Sequence, residues 1–309
     1  MVFSHIPVFL NEAVDFLNIK PNGIYVDATA GGGGHSEAIL EQLSNEGRLV
    51  LLDRDPDAVE HLYNKFKNRS NVLIIKDNFV NIYNVLGRIK VSSVDGILFD
   101  LGVSSYQLDN KDRGFTYKEN VPLDMRMSKE GISAKDFINT APEYEISRVL
   151  KENAQERYAS SIARNIVKER LIHPIETTFD LVNIIKRSMP QKSLKEKGHP
   201  AKRTFQAIRM HINSELSNLK KGLMSAFNVL SSGGRIVVIT FHSLEDKVVK
   251  DQFKKWSTGC TCPGNFPVCV CGKKPLAKVL TKKALKPSFE EVSSNKRSKS
   301  AKLRVCEKI

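Results

Sequence analysis

The sequence predicts an α/β protein: a doubly wound, Rossmann-like parallel sheet interrupted by an all-helical insertion. Three observations carry this. Apolar runs at 23–27, 47–53, 71–77 and 94–100 alternate with helical patterns, which builds parallel strands joined by right-handed crossovers. The first run leads into Tyr25-Val-Asp-Ala-Thr-Ala-Gly-Gly-Gly-Gly-His-Ser36, a glycine turn that opens a helix. From Ser133 to about Met189 the strand pattern gives way to helical spacing.

The lead-in, 5–17, is expected to be a short helix with Val8, Leu10, Val14, Phe16 and Leu17 on its buried face and His5 on the surface. Strand 23–27, the glycine turn and a helix over 36–43 follow. Strand 47–53 is apolar throughout, as in parallel sheets covered on both faces. Pro56 suits the first turn of the next helix. Beyond strand 94–100 a long small-residue loop leads to the insertion, in which Ser133 caps the first helix and Ile146, Val149 and Leu150 recur at helical spacing. The insertion is bounded at 109–202, within a sheet domain made of 1–108 and 203–309. The later segment holds helices from Thr204 to Leu230, a strand at 235–240, a helix at 246–256, four cysteines and a lysine-rich tail expected to be mobile. Residues 301–309 alternate and predict a last strand, antiparallel, at the sheet's far side.

Composition limits the function. Lys and Arg exceed Asp and Glu by 48 to 34, a net charge of +14, which favours a polyanionic partner, by default nucleic acid. An apolar fraction of 41% excludes wholesale disorder. No apolar stretch reaches the roughly 18 residues of a membrane span. The N-terminal residues lack the basic and apolar regions of a signal peptide, so a cytoplasmic location is expected.

Four acids, Asp27, Asp53, Asp77 and Asp100, stand at strand ends, where a parallel sheet gathers them along one crevice. Asp57 reads as a helix cap instead. Asp53 follows Gly31 at close to the roughly 20-residue offset at which an acid meets a ribose diol. Two ligands compete for this crevice. A nicotinamide dinucleotide asks for a G-x-G-x-x-G turn, but the frame Gly31-x-Gly33-x-x-Ser36 lacks the third glycine. Asp27 before the turn also suits a sulfonium and ammonium better than a pyrophosphate. The residues therefore favour S-adenosylmethionine. A dinucleotide oxidoreductase and a non-catalytic RNA-binding protein with a zinc module remain the alternatives.

The chain resembles the bacterial ribosomal RNA small-subunit methyltransferase H family, also called MraW, over nearly its whole length. The resemblance is carried by His5-Ile-Pro-Val8, Asp27-Ala-Thr-Ala-Gly-Gly-Gly-Gly-His-Ser36, Leu52-Asp-Arg-Asp-Pro56, Phe99-Asp-Leu-Gly-Val-Ser-Ser105, Arg113-Gly-Phe115 and Pro122-Leu-Asp-Met-Arg-Met127. It continues in Arg203-Thr-Phe-Gln-Ala-Ile-Arg209, Ile239-Thr-Phe-His-Ser-Leu-Glu-Asp246 and Ser300-Ala-Lys-Leu-Arg-Val305. The chain departs from it at Tyr106, where the family often has Pro, and at Ala30, where it often has Phe. The resemblance implies a Rossmann-like class I methyltransferase sheet with an inserted, helical RNA-recognition domain. It implies S-adenosylmethionine bound at Gly33, Gly34, His35, Asp53, Phe79, Asp100 and Gln107. The methionine end would lie on the glycine backbone, the ribose on Asp53 and the adenine on Phe79. Gln107 would belong to a loop closing the pocket. The implied reaction methylates N4 of a cytidine in the decoding centre of 16S ribosomal RNA, free or within the small subunit.

Asp100, Asp124 and His242 are the candidates for the proton acceptor, because Asp100-Leu-Gly-Val departs from the pattern of many amino-methyltransferases, an acidic or amide residue followed by Pro-Pro-aromatic. Arg148, Lys151, Arg157, Arg164, Lys168 and Arg170 of the insertion, and Lys202, Arg203 and Arg209 after it, are candidate phosphate contacts. Lys282, Lys283, Lys286 and the run 296–299 make a basic tail suited to RNA. No catalytic metal is expected. Cys260-Thr-Cys262 and Cys269-Val-Cys271 pair with one intervening residue, tighter than the usual zinc spacing, so zinc there stays open. A homodimer also stays open.

Overall fold

The computed structural model describes residues 7–262, 268 and 271–309, so His5 and Cys269 lie outside the described residues. The chain forms two compact units, 1–102 with 216–309, and 103–215.

The first unit is built on a seven-stranded sheet: β1 Ile24–Asp27, β2 Arg48–Asp53, β3 Val72–Lys76, β4 Val94–Asp100, β5 Leu230–Thr240, β6 Ala277–Val279 and β7 Lys302–Lys308, in the order β3-β2-β1-β4-β5-β7-β6. β1 to β5 are parallel, and β7 is antiparallel to both of its neighbours. The expected last strand is therefore antiparallel but interior. The edge belongs to β6, whose three residues are too few to show a period.

Alternate residues of each strand enter opposite cores. Val26, Val50, Ile97, Phe99, Ile236 and Val238 face the helices Ile82–Arg88, Glu215–Val229 and Ser243–Ser257. Tyr25, Leu49, Leu51, Leu98, Val237 and Ile239 face Leu10–Leu17, Gly34–Gln42 and Pro56–Phe66. With both faces covered, unbroken apolar strands are what the fold requires. In the lead-in, Val8, Val14 and Leu17 are buried as expected, whereas Leu10 and Phe16 are only partly so. The sheet order reverses between β1 and β4, and register places Asp27 beside Leu51 and Leu98, so the acids share the carboxyl edge at this switch point.

The tail expected to be mobile has structure instead. Ser288 caps a helix, Phe289–Ser294, and a 3-10 turn, Lys296–Ser300, follows with Ser298 buried. Glu291 Oε1 accepts a hydrogen bond from the Phe9 backbone N–H (2.7 Å), a long-range tie that composition alone does not reveal.

The second unit is helical: Ala134–Thr140, Glu143–Ala154, Ala159–Arg170, Thr178–Arg187 and Lys202–Ile212, with short turns at Ser105–Asp109 and Gln191–Leu194. Ser133 and Asp136 form a reciprocal capping box. This unit exceeds the bounds of 109–202 at both ends. The helix Lys202–Ile212 carries Phe205, Ala207 and Ile208 into the core of Ile146, Val149 and Leu150, so packing claims a helix that sequence order assigned to the sheet domain. Asn213 fastens the aperiodic loop before the helices, with its side chain accepting from Met127 N–H and donating to Met125 O. Buried Arg113 does the same through the carbonyls of Arg126 and Met127. No described helix is long and apolar enough to cross a membrane.

Candidate functional site

Thr29 holds the ends of β1 and β4 together: its Oγ1 accepts from Asp100 N–H at 2.6 Å, while Ala30 N–H reaches Leu52 O of β2 at 3.0 Å. The glycine turn leaves from this junction. Gly31 N–H donates to Asp53 Oδ2 (2.8 Å), and Asp55 N–H donates to Asp53 Oδ1 (2.8 Å). Asp27 accepts from Ser36 Oγ (2.6 Å) and from Thr29 N–H (3.2 Å).

Three carboxyl groups are thereby crowded where water is scarce. Burial pushes Asp27 up to about 6, against the opposing hydrogen bonds of Ser36 and Thr29. Burial also raises Asp53, opposed by the N–H donors of Asp55 and Gly31. Asp100 is held well above the usual carboxylate range by burial, then by the charges of Asp27 and Glu245. A cationic ligand would relieve this crowding. The Asp100 side chain is 23% exposed, yet its Oδ1 is buried and has no hydrogen-bond partner among the described residues. Buried polar atoms are normally paired, so this oxygen fits an N–H brought by a ligand.

His35 adjoins it. The ring is 5% exposed, with Nε2 3.0 Å from Val8 O and Nδ1 3.6 Å from Asp100 Oδ2. The neighbouring glycines have packing reasons of their own. Gly33 has φ of +72°, and a Cβ there would lie 2.9 Å from Leu62 and Phe66. A Cβ on Gly34 would collide with Pro7. Lys65 Nζ donates to Gly33 O (3.2 Å), bracing the turn from the helix Pro56–Phe66.

Phe79 follows β3 in a 3-10 turn and meets Phe99 edge-on, with ring centroids 5.5 Å apart and planes at 83°. Asp77 differs from the other acids. Its Oδ1 accepts from Asn78 N–H and Asn81 Nδ2, both at 2.7 Å, so it shapes the turn that presents Phe79. His242 caps the helix Ser243–Ser257: its Nδ1 accepts from Glu245 N–H (3.4 Å), and Glu245 Oε2 accepts from Phe241 N–H (2.9 Å).

Gln107 and Asp124 belong to the second unit. Gln107 is 4% exposed and forms a capping box with Ser104. Asp124 accepts from Arg126 through both oxygens, at 3.1 Å and 2.6 Å. Among the basic candidates, Arg209 is bidentate to Glu215 at 2.8 Å, Arg148 pairs with Glu152 and Arg157 with Glu196, and Arg170 donates to the carbonyls of Ile138 and Ala141. Lys151, Arg164 and Lys168 are exposed.

Sequence reasoning missed Thr29, Ser36 and Glu245. The three-residue offset of Glu245 from His242 is a capping-box spacing that could have flagged that pair. Thr29 acts across strand ends and Ser36 reaches back from the helix Gly34–Gln42 to Asp27, which spacing does not show.

Comparison with known proteins agrees with this geometry. The "Ribosomal RNA small subunit methyltransferase H" of Clostridium botulinum is 50% identical over 310 residues, covering 100% of both chains. That of Carboxydothermus hydrogenoformans is 52% identical, covering 100% of this chain and 99% of the relative. A sequence model of the MraW methylase family matches residues 2–309. S-adenosylmethionine is accordingly the cofactor that the buried acids and the unpaired Asp100 oxygen suit, and the chain belongs to the MraW methylase family.

Proposed function

We propose that this protein methylates the exocyclic N4 of a cytidine in the decoding centre of 16S ribosomal RNA, in the cytoplasm, within the assembled or assembling small subunit. The observation that carries the reading is the buried, unpaired Oδ1 of Asp100 at the switch point of the sheet. The net charge of +14 and the names of the relatives supply the substrate class.

S-adenosylmethionine, when bound, supplies an electrophilic methyl on a sulfonium. The protein's part is placement and proton handling. Asp53 receives the ribose hydroxyls, Phe79 packs against the adenine, the backbone of Gly33 and Gly34 flanks the methionine end, and Gln107 belongs to the closing loop. Cytosine N4 is a poor nucleophile because its lone pair is delocalised into the ring, so orientation supplies much of the rate. Asp100 Oδ1 accepts an N–H at the reacting end and takes up the proton that N4 loses. His242 and Asp124 are weaker candidates for that proton. The Nδ1 of His242 is occupied by a backbone N–H, and both Asp124 oxygens are occupied by Arg126.

The target base must leave its stack to be reached. The helical unit is the RNA-recognition element in this reading, with Lys151, Arg164 and Lys168 as its phosphate contacts. The test is nucleoside mass analysis of small-subunit RNA from a deletion strain, complemented with wild type or Asp100→Asn. N4-methylcytidine is expected to vanish on deletion and return only with the wild type. Its persistence in the deletion strain would overturn the assignment. Loss of a different methylated nucleoside would retain the enzyme class and replace the target.

A further inference from the structure

We propose that Cys260, Cys262 and Cys271 supply three of the four tetrahedral ligand positions of a structural zinc ion. Their Sγ atoms all lie within 4.8 Å of one another, and those of Cys260 and Cys271 are 3.7 Å apart. A disulfide needs about 2.05 Å. The edge of a tetrahedron with zinc–sulfur bonds of about 2.3 Å is about 3.8 Å, which is the spacing found. The one-residue interval between Cys260 and Cys262 argues against zinc only if ligands must pair along the chain. Here Cys260 and Cys271, from opposite arms of the loop, bring their sulfurs to 3.7 Å.

Backbone donors already serve these sulfurs. Cys262 N–H points at Cys260 Sγ (3.4 Å), and Thr261 N–H points at Cys271 Sγ (3.5 Å). Such donors suit the thiolate form that a metal needs.

The surroundings explain what the ion would do. The arms of the loop are tied at their base, where Leu276 N–H donates to Trp256 O (2.7 Å) and the α-carbon side of Gly259 lies against Pro275. Beyond that tie, no described residue between 257 and 276 is buried. With no apolar core among the described residues of the segment, a metal cross-link is a device that can fix it. The assignment rests on the three described cysteines alone.

Metal analysis of the full chain, purified reduced and without chelator from zinc-supplemented medium, is expected to give about one zinc per chain. The C260S/C262S/C271S variant is expected to lose it while binding S-adenosylmethionine like the wild type. Cobalt(II) exchanged into the wild type should show the intense thiolate-to-cobalt charge-transfer band of a tetrahedral site. A single variant, C262S, should release zinc to a chelator faster than the wild type, which keeps the test available if the triple variant does not fold. Zinc-free wild type without the cobalt band would overturn the proposal, as would zinc retained by the triple variant or disulfides found by mass under these reducing conditions.

Discussion

His35 Nδ1 lies 3.6 Å from Asp100 Oδ2, and the other nitrogen of the same ring lies 3.0 Å from the Val8 carbonyl. A carbonyl only accepts, so Nε2 carries the hydrogen and Nδ1 is left to face the carboxyl group. One oxygen of Asp100 thus faces a ring nitrogen that bears no hydrogen, and Oδ1 is the oxygen proposed to meet the ligand. Asp100→Asn keeps the shape and removes the ability to take up a proton. Methyl transfer in a radiolabel assay on small-subunit particles is expected to fall by about 100-fold or more, the scale of a lost general base. Undiminished transfer by this variant would remove Asp100 from the chemistry.

The raised Asp100 also predicts a pH profile. Burial, with Asp27 and Glu245, keeps the acid protonated over more of the pH range than an ordinary carboxyl. Proton acceptance needs the ionised form, so activity should climb as pH rises through this elevated value. Asp100→Asn should flatten that acidic limb in whatever activity it retains. A limb unchanged in the variant would assign the titration to another group.

Asp27 gives a stability counterpart. A carboxyl whose folded value is raised favours the neutral form in the fold, so its contribution is full below the ordinary 3.8 and is lost as pH rises through about 6. That interval is worth about 3 kcal/mol at most. Urea unfolding of Asp27→Asn should lack this decline across the same window. Parallel pH profiles of variant and wild type would show that Ser36 and Thr29 already offset the burial.

The carboxyl edge of the sheet was legible in the sequence because apolar runs ending in acids are local patterns, and Asp27, Asp53 and Asp100 fall where those runs stop. The roles of the glycines were only partly legible. Gly33 and Gly34 read as making room for a ligand, but their Cβ positions are closed by Leu62, Phe66 and Pro7, which are contributed by other parts of the chain. Asp77 looked like its fellow acids until Asn78 and Asn81 claimed its oxygen. The helix Lys202–Ile212 followed sequence order in prediction and packing in the structure. In each case the deciding contact is long-range or depends on side-chain direction, and neither leaves a period to read.

Gly33→Ala tests the packing account directly. The substitution forces an L-residue to φ of +72° and sets a methyl 2.9 Å from Leu62 and Phe66. Left-handed strain and overpacking each cost about 1–3 kcal/mol. Thermal unfolding should therefore occur several degrees lower, and S-adenosylmethionine binding by calorimetry should weaken as the turn shifts. Weakened binding at an unchanged melting temperature would point to ligand approach instead as the reason for glycine.

Gly222 makes the same kind of demand at Phe79, the proposed adenine contact. It lies in the helix Glu215–Val229, and a Cβ there would collide with the ring of Phe79. Alanine is otherwise the better helix former by about 1 kcal/mol, so glycine is explained by the ring and not by the helix. Gly222→Ala should push Phe79 off its edge-on contact with Phe99 and weaken S-adenosylmethionine binding about tenfold, with the helix intact by circular dichroism. Phe79→Leu removes the ring and should also weaken binding. If the methyl acts through the ring, the second substitution leaves it nothing to displace, and the double variant should bind much like Phe79→Leu alone. Additive losses would mean that Gly222 acts on the cofactor by a route that bypasses Phe79.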